Sequence, residues 1–131
     1  MSLFPPRTFA LLNILLVDDS RVTREVTKVY LVADGVTLHD ATDGEDALRV
    51  IRRSPPDLVL ADMNMPKLDG PGLCEQMQAD PALSKIPVII LTSRKDAASR
   101  ERCLLAGARD VLTKPVQPGD LLYSVKRQLH R

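Results

Sequence analysis

Aromatic residues are scarce in this chain, which contains two tyrosines, two phenylalanines and no tryptophan among its 131 residues. Its core must therefore be built mainly from leucine, valine, isoleucine and alanine. The length suits one domain with a single core rather than two domains. Because the 18 basic and 17 acidic residues nearly cancel, the chain lacks the basic excess of nucleic-acid-binding and membrane-binding surfaces. We therefore expect neither nucleic acid nor a membrane as a direct partner.

Cysteine is also rare, since the chain contains only Cys74 and Cys103. Two cysteines are too few for a disulfide framework, and neither has a histidine or cysteine neighbour at the spacing of a metal site. We expect both to be small buried side chains of a protein kept in a reducing, cytoplasmic environment.

Long apolar runs are missing as well. Residues 9–17 are apolar apart from Asn13, but Asp18 and Asp19 follow at once. The run is much shorter than the 18 or so residues of a membrane span, and it lacks the small-residue cleavage site of a signal peptide. We interpret it as leading into a buried strand.

Short apolar runs alternate with segments of helical periodicity five times along the chain. The predicted strands span 13–17, 36–41, 57–61, 88–91 and 110–112. The predicted helices run from Ser20 to Asp34-Gly35, from Asp43 to Ser54-Pro55, from after Pro71 to Asp80-Pro81, over 95–106, and from Pro118 onwards. This alternation predicts a doubly wound α/β domain with a parallel sheet between two layers of helices. Residues 1–12 would be a lead-in, and residues 13–131 the domain.

Two of these helices are predicted from apolar residues at helical spacing. In the first helix the pattern consists of Val22, Val26, Val29, Tyr30 and Ala33, and in the last helix of Leu121, Leu122, Val125 and Leu129. We expect such a pattern to mark the side of a helix that faces the core.

Four of the five predicted strands are followed by side chains suited to chemistry. These are Asp18-Asp19 after the first strand, Asp62 after the third, Thr92-Ser93 after the fourth and Thr113-Lys114-Pro115 after the fifth. In open α/β sheets, ligands bind beyond the carboxyl ends of the strands. We therefore expect these side chains to meet in one crevice.

Three aspartates in one crevice repel one another unless a cation intervenes. Magnesium prefers oxygen ligands and keeps several waters. In the predicted site Asp19 and Asp62 bind the ion directly, Asp18 binds it through water, and the backbone carbonyl of Asn64 adds an oxygen. One magnesium ion and the Lys114 ammonium then balance the three carboxylates.

Phosphorylation of Asp62 would change this balance, because a phosphoryl group carries roughly −1.5 to −2 charges. Lys114 and the Thr92 hydroxyl could donate to the new oxygens. Each hydrogen bond to a charged partner contributes about 1.5–3 kcal/mol, so two contribute about 3–6 kcal/mol. Moving a two-state equilibrium from 1:99 to 99:1 requires about 5.5 kcal/mol. The residues therefore predict a phosphorylation-controlled switch.

Other functions use similar residues. Each residue alone has an ordinary structural explanation as a cap, a turn residue or a solvated charge, but together they favour a site. A magnesium-dependent phosphohydrolase with an aspartyl nucleophile would need a general acid two residues after it, where Asn64 stands. Nucleotide binding is disfavoured because neither common glycine-rich phosphate motif is present.

The order and spacing of these motifs resemble the receiver domains of bacterial two-component response regulators. The matching segments are ILLVDDSRVTR, ATDGEDAL, DLVLADMNMPKLDG, IPVIILTS and GARDVLTKP. The resemblance covers residues 13–129. It implies a flavodoxin-like (βα)5 fold with five parallel strands in the order 2-1-3-4-5.

The resemblance also implies a role for each site residue. Asp62 would accept a phosphoryl group from a phosphohistidine on a histidine kinase or phosphotransfer protein, next to Mg²⁺ held by the acidic pair and Asn64. Thr92 would move toward the phosphate, Lys114 would contact it, and the Lys114-Pro115 peptide would be cis. Such a domain is a regulator rather than a metabolic enzyme, since it catalyses only its own phosphorylation and dephosphorylation. A downstream effector or an appended output domain would receive the signal, and homodimers are possible.

The chain departs from the family at Val111, where receivers commonly have a tyrosine or phenylalanine that turns inward on activation. A valine cannot make that movement, which leaves open a phosphorylation-independent interaction module with the same fold. We expect output to run instead through backbone shifts of the loops after the fourth and fifth strands. Arg94 lies at a position that, with Asn64, tunes phosphoryl hydrolysis in similar domains, or it is simply a solvated arginine.

Overall fold

Short apolar runs form the strands of a five-stranded sheet in the computed structural model, which describes residues 12–32 and 35–129. The strands are β1 (Leu12–Val17), β2 (Val36–Ala41), β3 (Leu58–Asp62), β4 (Val88–Thr92) and β5 (Asp110–Thr113). The helices are α1 (Arg21–Leu31), α2 (Gly44–Arg53), α3 (Gly70–Gln78), α4 (Ala97–Ala106) and α5 (Pro118–Leu129). All four strand pairs are parallel, in the order β2-β1-β3-β4-β5. The predicted fold and strand order are confirmed.

The sheet is buried on both faces, because side chains of a strand alternate between them. In β1, Ile14 and Leu16 belong to one core cluster, with buried residues of α1 and α5. Leu15 and Val17 belong to the other, with buried residues of α2, α3 and α4. Helices on both faces leave the carboxyl edge of the sheet, where the loops lie, as the place for a site.

Several element ends differ by one or two residues from the sequence prediction. β3 and β4 each extend one residue further, so Asp62 and Thr92 are the last residues of their strands rather than the first residues of loops. The predicted loop ending at Pro71 was wrong, because α3 begins at Gly70 after the cap Asp69, whose side chain accepts from Gly72 N. The fourth helix, predicted from residue 95, begins at Ala97 after the cap Asp96.

The predicted inward side of α1 is right for Tyr30, which packs against a core cluster, and wrong for the three valines. Val22 and Val29 are 74% and 72% exposed, and Val26 is 46% exposed, whereas Leu31 is fully buried. The apolar spacing predicts the helix correctly but not its packing, because α1 covers only part of one sheet face beside α5. The helix ends at Leu31 with Val32 as its C-cap, and the predicted end at Asp34 and the predicted apolar contact of Ala33 lie outside the described residues.

The predicted inner face of α5 is confirmed. Leu121 and Val125 are fully buried, and Leu122 and Leu129 are partly buried against the same cluster. Of the predicted lead-in, residues 1–11 lie outside the described part of the chain, and Leu12 is already the first residue of β1. Within the described residues, no helix is long and apolar enough to cross a membrane.

Gly70 closes the β3–α3 loop onto the end of β3. Its backbone N–H donates to the Met63 carbonyl over 2.9 Å. A Cβ at this position would lie 2.7 Å from the Asp62 carbonyl oxygen and 3.1 Å from Met63 Cα. Since both neighbours are backbone atoms, the loop can accept a side chain here only by moving.

Replacing Gly70 by alanine should therefore lower the free energy of unfolding by about 1–3 kcal/mol, the usual cost of overpacking. Urea unfolding followed by circular dichroism measures this difference. Gly119→Ala is the matched control, because a Cβ at Gly119 meets nothing within 4 Å. Equal unfolding midpoints for the Gly70→Ala variant and the wild type would contradict the close approach.

Candidate functional site

An acidic cluster lies at the carboxyl edge of the sheet, where the neighbouring strands β1 and β3 end. Val17 pairs with Ala61 in the parallel register, so Asp18 and Asp62, the next residues along each strand, lie side by side. One carboxylate oxygen from each of Asp18, Asp19 and Asp62 lies within 4.8 Å of the others. The predicted convergence of the three aspartates is therefore present.

Lys114 contacts two members of this cluster from the loop after β5. Its Nζ lies 3.0 Å from Asp62 Oδ1 and 3.6 Å from Asp18 Oδ2. The backbone fixes its position, since Lys114 N donates to the Thr92 carbonyl over 2.7 Å. The following peptide to Pro115 is cis, as the family resemblance predicts.

The three aspartates differ in their surroundings. Asp18 is buried, and its Oδ1 accepts from Ser20 N over 2.8 Å. Asp19 is exposed, and Asp62 lies between these extremes. A ligand arriving from solvent therefore reaches Asp19 first and the Asp62 carboxylate behind it.

Burial raises the pKa of Asp62, and the charges of Asp18 and Asp19 raise it further. The hydrogen bond and charge of Lys114 oppose this by lowering the same pKa. With three carboxylates and one ammonium, the ionised cluster has a formal excess of two negative charges. A divalent cation with a preference for carboxylate oxygens would cancel that excess, so the donor set fits Mg²⁺.

Thr92 ends β4 beside β3, and Asn64 follows Asp62 by two residues, but within the described residues neither side chain joins the hydrogen bonds of the cluster. Thr92 is buried, and its hydroxyl donates to Met63 Sδ over 3.3 Å and accepts from Arg94 N over 3.0 Å. Asn64 is exposed two residues after Asp62. Among the described residues, no hydrogen bond joins the Thr92 hydroxyl to the aspartates or to Lys114 in this conformation.

Three neighbours of the site were not predicted from the sequence. Met63 holds the Thr92 hydroxyl, Arg24 donates to the Asp18 carbonyl, and Arg100 Nη1 donates to the Val111 carbonyl over 3.0 Å. A buried methionine after a strand and arginines at helical positions are common features, so the sequence carries no signal that distinguishes them.

The remaining residues singled out from the sequence lie as follows. Val111 is buried, with 5% of its surface exposed. Arg94 has a side chain that is 61% exposed and pairs with Asp96 over 3.2 Å, which favours the solvated interpretation. Cys74 and Cys103 are both buried and free, as predicted. Burial raises the pKa of the Cys74 thiol to about 12, so it is unreactive as a thiolate near neutral pH.

The chain is similar in sequence to known response regulators. The family model of the response regulator receiver domain matches residues 14–126. The chain is 36% identical over 119 residues to a probable transcriptional regulator, ycf27, of Porphyridium aerugineum, covering 91% of this chain and 48% of that protein. It is 36% identical over 120 residues to the response regulator MprA of Mycobacterium leprae, covering 92% of this chain and 52% of that protein. The chain thus spans about half the length of the curated relatives it matches.

A solved structure shows the same likeness in three dimensions. The receiver domain of a sensor histidine kinase from Pseudomonas aeruginosa, with a magnesium ion coordinated in its active site cleft, superposes with a TM-score of 0.84 at 32% identity. The match covers 93% of this chain and 100% of that one. From the family match, the strand order and the acidic cluster, we conclude that this chain belongs to the response regulator receiver domain family.

Proposed function

We propose that this domain is a phosphorylation-activated signalling switch in which Asp62 accepts a phosphoryl group from a histidine kinase or a histidine phosphotransfer protein. The observation that supports this most directly is the contact of Lys114 Nζ with Asp62 Oδ1 at 3.0 Å, inside a cluster of three aspartates. An Asp62 oxygen attacks phosphorus while the phosphorus–nitrogen bond of the phosphohistidine breaks. The bonding electrons leave with the imidazole nitrogen, and the product is an acyl phosphate.

Magnesium is the cofactor that we propose for this reaction. Asp19 and Asp62 would bind it directly, Asp18 would act through water, and the Asn64 carbonyl would supply a further oxygen. When bound, the ion would neutralise charge on the transferring phosphoryl group. Lys114 would supply the second cation, in contact with both Asp18 and Asp62.

The phosphorylated state would recruit two side chains. Lys114 is already at the carboxylate, and its ammonium can follow the added phosphoryl oxygens. The Thr92 hydroxyl would have to leave Met63 Sδ and Arg94 N to donate to the phosphate. The bond to sulfur is a weak one, so this exchange favours the phosphorylated conformation. Both contacts together reach about 3–6 kcal/mol, comparable with what a full switch requires.

Incubation with acetyl phosphate and Mg²⁺ should add the mass of one phosphoryl group to the wild type and none to Asp62→Asn. Intact-protein mass spectrometry measures the addition. Asp57→Asn is the matched control, because the exposed Asp57 lies just before the other end of β3; this variant should be modified like the wild type. An unmodified wild type would favour the phosphorylation-independent module, and steady turnover of phosphomonoesters would favour the phosphohydrolase.

The phosphodonor protein needs a docking surface beside Asp62, and we propose the groove between α1 and α5. Val22 and Val26 line a pocket of about 220 Å³ together with Lys114, Pro115 and Val116. The pocket shares Lys114 with the phosphoacceptor cluster, so a protein seated there would lie next to Asp62. This proposal also accounts for the exposure of Val22 and Val26, which the fold itself leaves uncovered.

Val26→Asp should slow phosphoryl transfer from a histidine kinase that phosphorylates the wild type by about tenfold, as expected for loss of an apolar contact at the centre of an interface. Its rate with acetyl phosphate should stay unchanged. Val29→Asp is the control, since Val29 is exposed on the same helix but does not line the pocket. Equal slowing with both donors, or in both variants, would contradict this docking surface.

Output in this chain would run through the loops after β4 and β5 rather than through an aromatic side chain at position 111. Thr92 ends β4 and Lys114 directly follows β5, and the Lys114 N–Thr92 O hydrogen bond joins them. Arg100 ties α4 to β5 through the Val111 carbonyl. Movement of Thr92 toward a phosphate would therefore reach α4 through the β5 backbone and the Arg100 side chain.

Addition of beryllofluoride, a phosphate mimic, should shift backbone amide resonances of α4 and of the two loops in NMR spectra. Resonances of α2 serve as the internal reference, since α2 lies on the far side of α3. The Asp62→Asn variant should show no such changes. Unchanged α4 resonances in the wild type would contradict the proposed route.

The component that receives the signal from this domain is also proposed from the relatives. The two relatives described above, which are named as a probable transcriptional regulator and a response regulator, are about twice as long as the matched region. We propose a receiver domain over residues 13–131 that passes its signal to a downstream effector or an appended output domain in the cytoplasm, with homodimerisation as one means.

A further inference from the structure

Arg24 is a nearly buried cation of α1 that reaches back to the acidic cluster. Its side chain is 10% exposed, and its Nη1 donates to the backbone carbonyl of Asp18. Its Nε lies 3.7 Å from Asp40 Oδ2 and, within the described residues, makes no hydrogen bond. Burying most of a guanidinium is costly without a compensating contact, so these two partners hold it in place.

The Asp18 carbonyl belongs to the peptide that joins Asp18 to Asp19. Hydrogen bonds hold the chain before and after that peptide, because Asp18 N donates to the Ala41 carbonyl over 3.1 Å and Ser20 N donates to Asp18 Oδ1 over 2.8 Å. The Arg24 hydrogen bond fixes the peptide plane itself. The orientation of that peptide plane sets the direction in which the Asp19 side chain leaves the backbone.

Arg24 also lies close behind the phosphoacceptor. Arg24, Asp18 and Asp62 line the same small pocket of about 10 Å³. Asp40, the partner of Arg24 on β2, is also held in place. It directly precedes Ala41, whose carbonyl accepts a hydrogen bond from Asp18 N. The guanidinium thus bridges the end of β2 and the turn that carries the acidic pair.

We infer that Arg24 is a positioning residue for magnesium, which holds the Asp18–Asp19 peptide so that both carboxylates face the ion. The inference rests on the proposed function, because it assigns a residue to the same metal site. Groups that orient metal ligands typically change metal affinity by about 10- to 100-fold when removed. Arg24 touches no reacting atom and is not a catalytic residue.

Charge alone predicts the opposite effect. A cation behind the acidic pair repels a divalent ion, so its removal would strengthen magnesium binding if orientation did not matter. Asp40 offsets much of that charge from 3.7 Å. The hydrogen bond to the Asp18 carbonyl has no such substitute among the described residues, so orientation should dominate.

The test is a magnesium titration of the full chain. The NMR chemical shifts of the backbone amides of Asp18–Ser20 and Asp62–Asn64 measure binding. Arg24→Gln should weaken binding by about tenfold, and Arg24→Lys, which keeps the charge, should bind with intermediate affinity. Lys28→Gln is the matched control. Lys28, like Arg24, pairs with Asp40, at 2.8 Å. Its other ion-pair partner is Glu25 rather than a group of the acidic cluster.

The outcomes separate the two proposals. Stronger or unchanged binding in Arg24→Gln, with normal binding in the wild type, would overturn the positioning role alone. Equal weakening in Arg24→Gln and Lys28→Gln would assign the effect to the Asp40 ion pairs and would also overturn it. A wild type that binds no magnesium would overturn the proposed function. Thermal unfolding of each variant, measured in parallel, shows that the folded state is the one being titrated.

Discussion

Replacing Lys114 by methionine is expected to lower the rate at which acetyl phosphate modifies Asp62 by about 10- to 100-fold, which corresponds to the loss of one hydrogen bond between charged groups. Lys114 Nζ lies 3.0 Å from Asp62 Oδ1 and is the side-chain cation that contacts the cluster most closely among the described residues. Its ammonium would stabilise the charge that builds up on the phosphoryl oxygens during transfer. Methionine keeps most of the length of the side chain but donates nothing.

The pH dependence of this variant follows from the same contact. Burial raises the pKa of Asp62, whereas Lys114 lowers it. Without the lysine the pKa of Asp62 rises further, so the reactive carboxylate forms only at higher pH. In the absence of magnesium, Asp62 of Lys114→Met should therefore ionise at a higher pH than Asp62 of the wild type, which an NMR titration of the side-chain carboxyl carbons would show.

Two control variants separate this effect from general changes in charge. Lys85→Met removes an exposed lysine between α3 and β4, before the amino end of the sheet, and should react at the wild-type rate. Lys114→Arg keeps the charge and should retain part of the rate. If Lys114→Met reacts as fast as the wild type, the lysine does not act on the transferred group and its contact with Asp62 is only structural.

The position of the site could be predicted from the sequence because it depends on topology. Apolar runs alternating with helices predict a parallel sheet, and a parallel sheet brings the residues after every strand to one edge. Asp18, Asp62 and Lys114 are placed by the backbone at the ends of β1, β3 and β5. Their mutual distances then follow from the strand spacing, whatever the details of the helices.

The direction of side chains could not be predicted in the same way. The Thr92 hydroxyl contacts Met63 and Arg94 N rather than the aspartates, and Arg24 reaches the Asp18 carbonyl. These contacts depend on rotamers chosen during packing, which sequence spacing does not encode. The exposed valines of α1 have a related cause, since spacing defines an apolar side of a helix but not what covers it.

Asp62→Asn is expected to stabilise the domain in the absence of metal, by about 0.5–2 kcal/mol, as is usual when a strained functional group is relaxed. Burial and two neighbouring carboxylates raise the pKa of Asp62, which means that its ionised form is disfavoured in the folded state relative to the unfolded chain. Asparagine has a similar shape and carries no charge. Thermal unfolding in the presence of EDTA measures the difference, which should be about 2–6 °C in the melting temperature.

The sign of this effect should depend on pH. Because the folded pKa of Asp62 lies above its ordinary value of 3.8, its protonated form stabilises the fold at pH values below 3.8. That contribution is lost as the pH rises through the raised pKa. Wild type and Asp62→Asn should therefore unfold at similar temperatures near pH 3.8 and below, and the variant should gain its advantage as the pH rises.

Asp96→Asn provides a control of opposite sign. Hydrogen bonds from the Ser99 hydroxyl and backbone N–H lower the pKa of Asp96, so its carboxylate stabilises the fold above its ordinary pKa and this contribution is lost as the pH falls. Its replacement should therefore destabilise the domain at neutral pH. A destabilised Asp62→Asn variant in EDTA would contradict the electrostatic strain inferred for the cluster.

Magnesium should reverse the order of stability of the wild type and Asp62→Asn. An ion that binds only the folded state stabilises it by about 2.7 kcal/mol at a concentration of 100 times its dissociation constant, which exceeds the gain expected from asparagine. The wild type should therefore become the more stable protein once magnesium is added, because Asp62→Asn has lost a ligand and a negative charge. The repulsion among three carboxylates, which weakens the metal-free fold, is then the same property that makes the site bind a cation and accept a phosphoryl group.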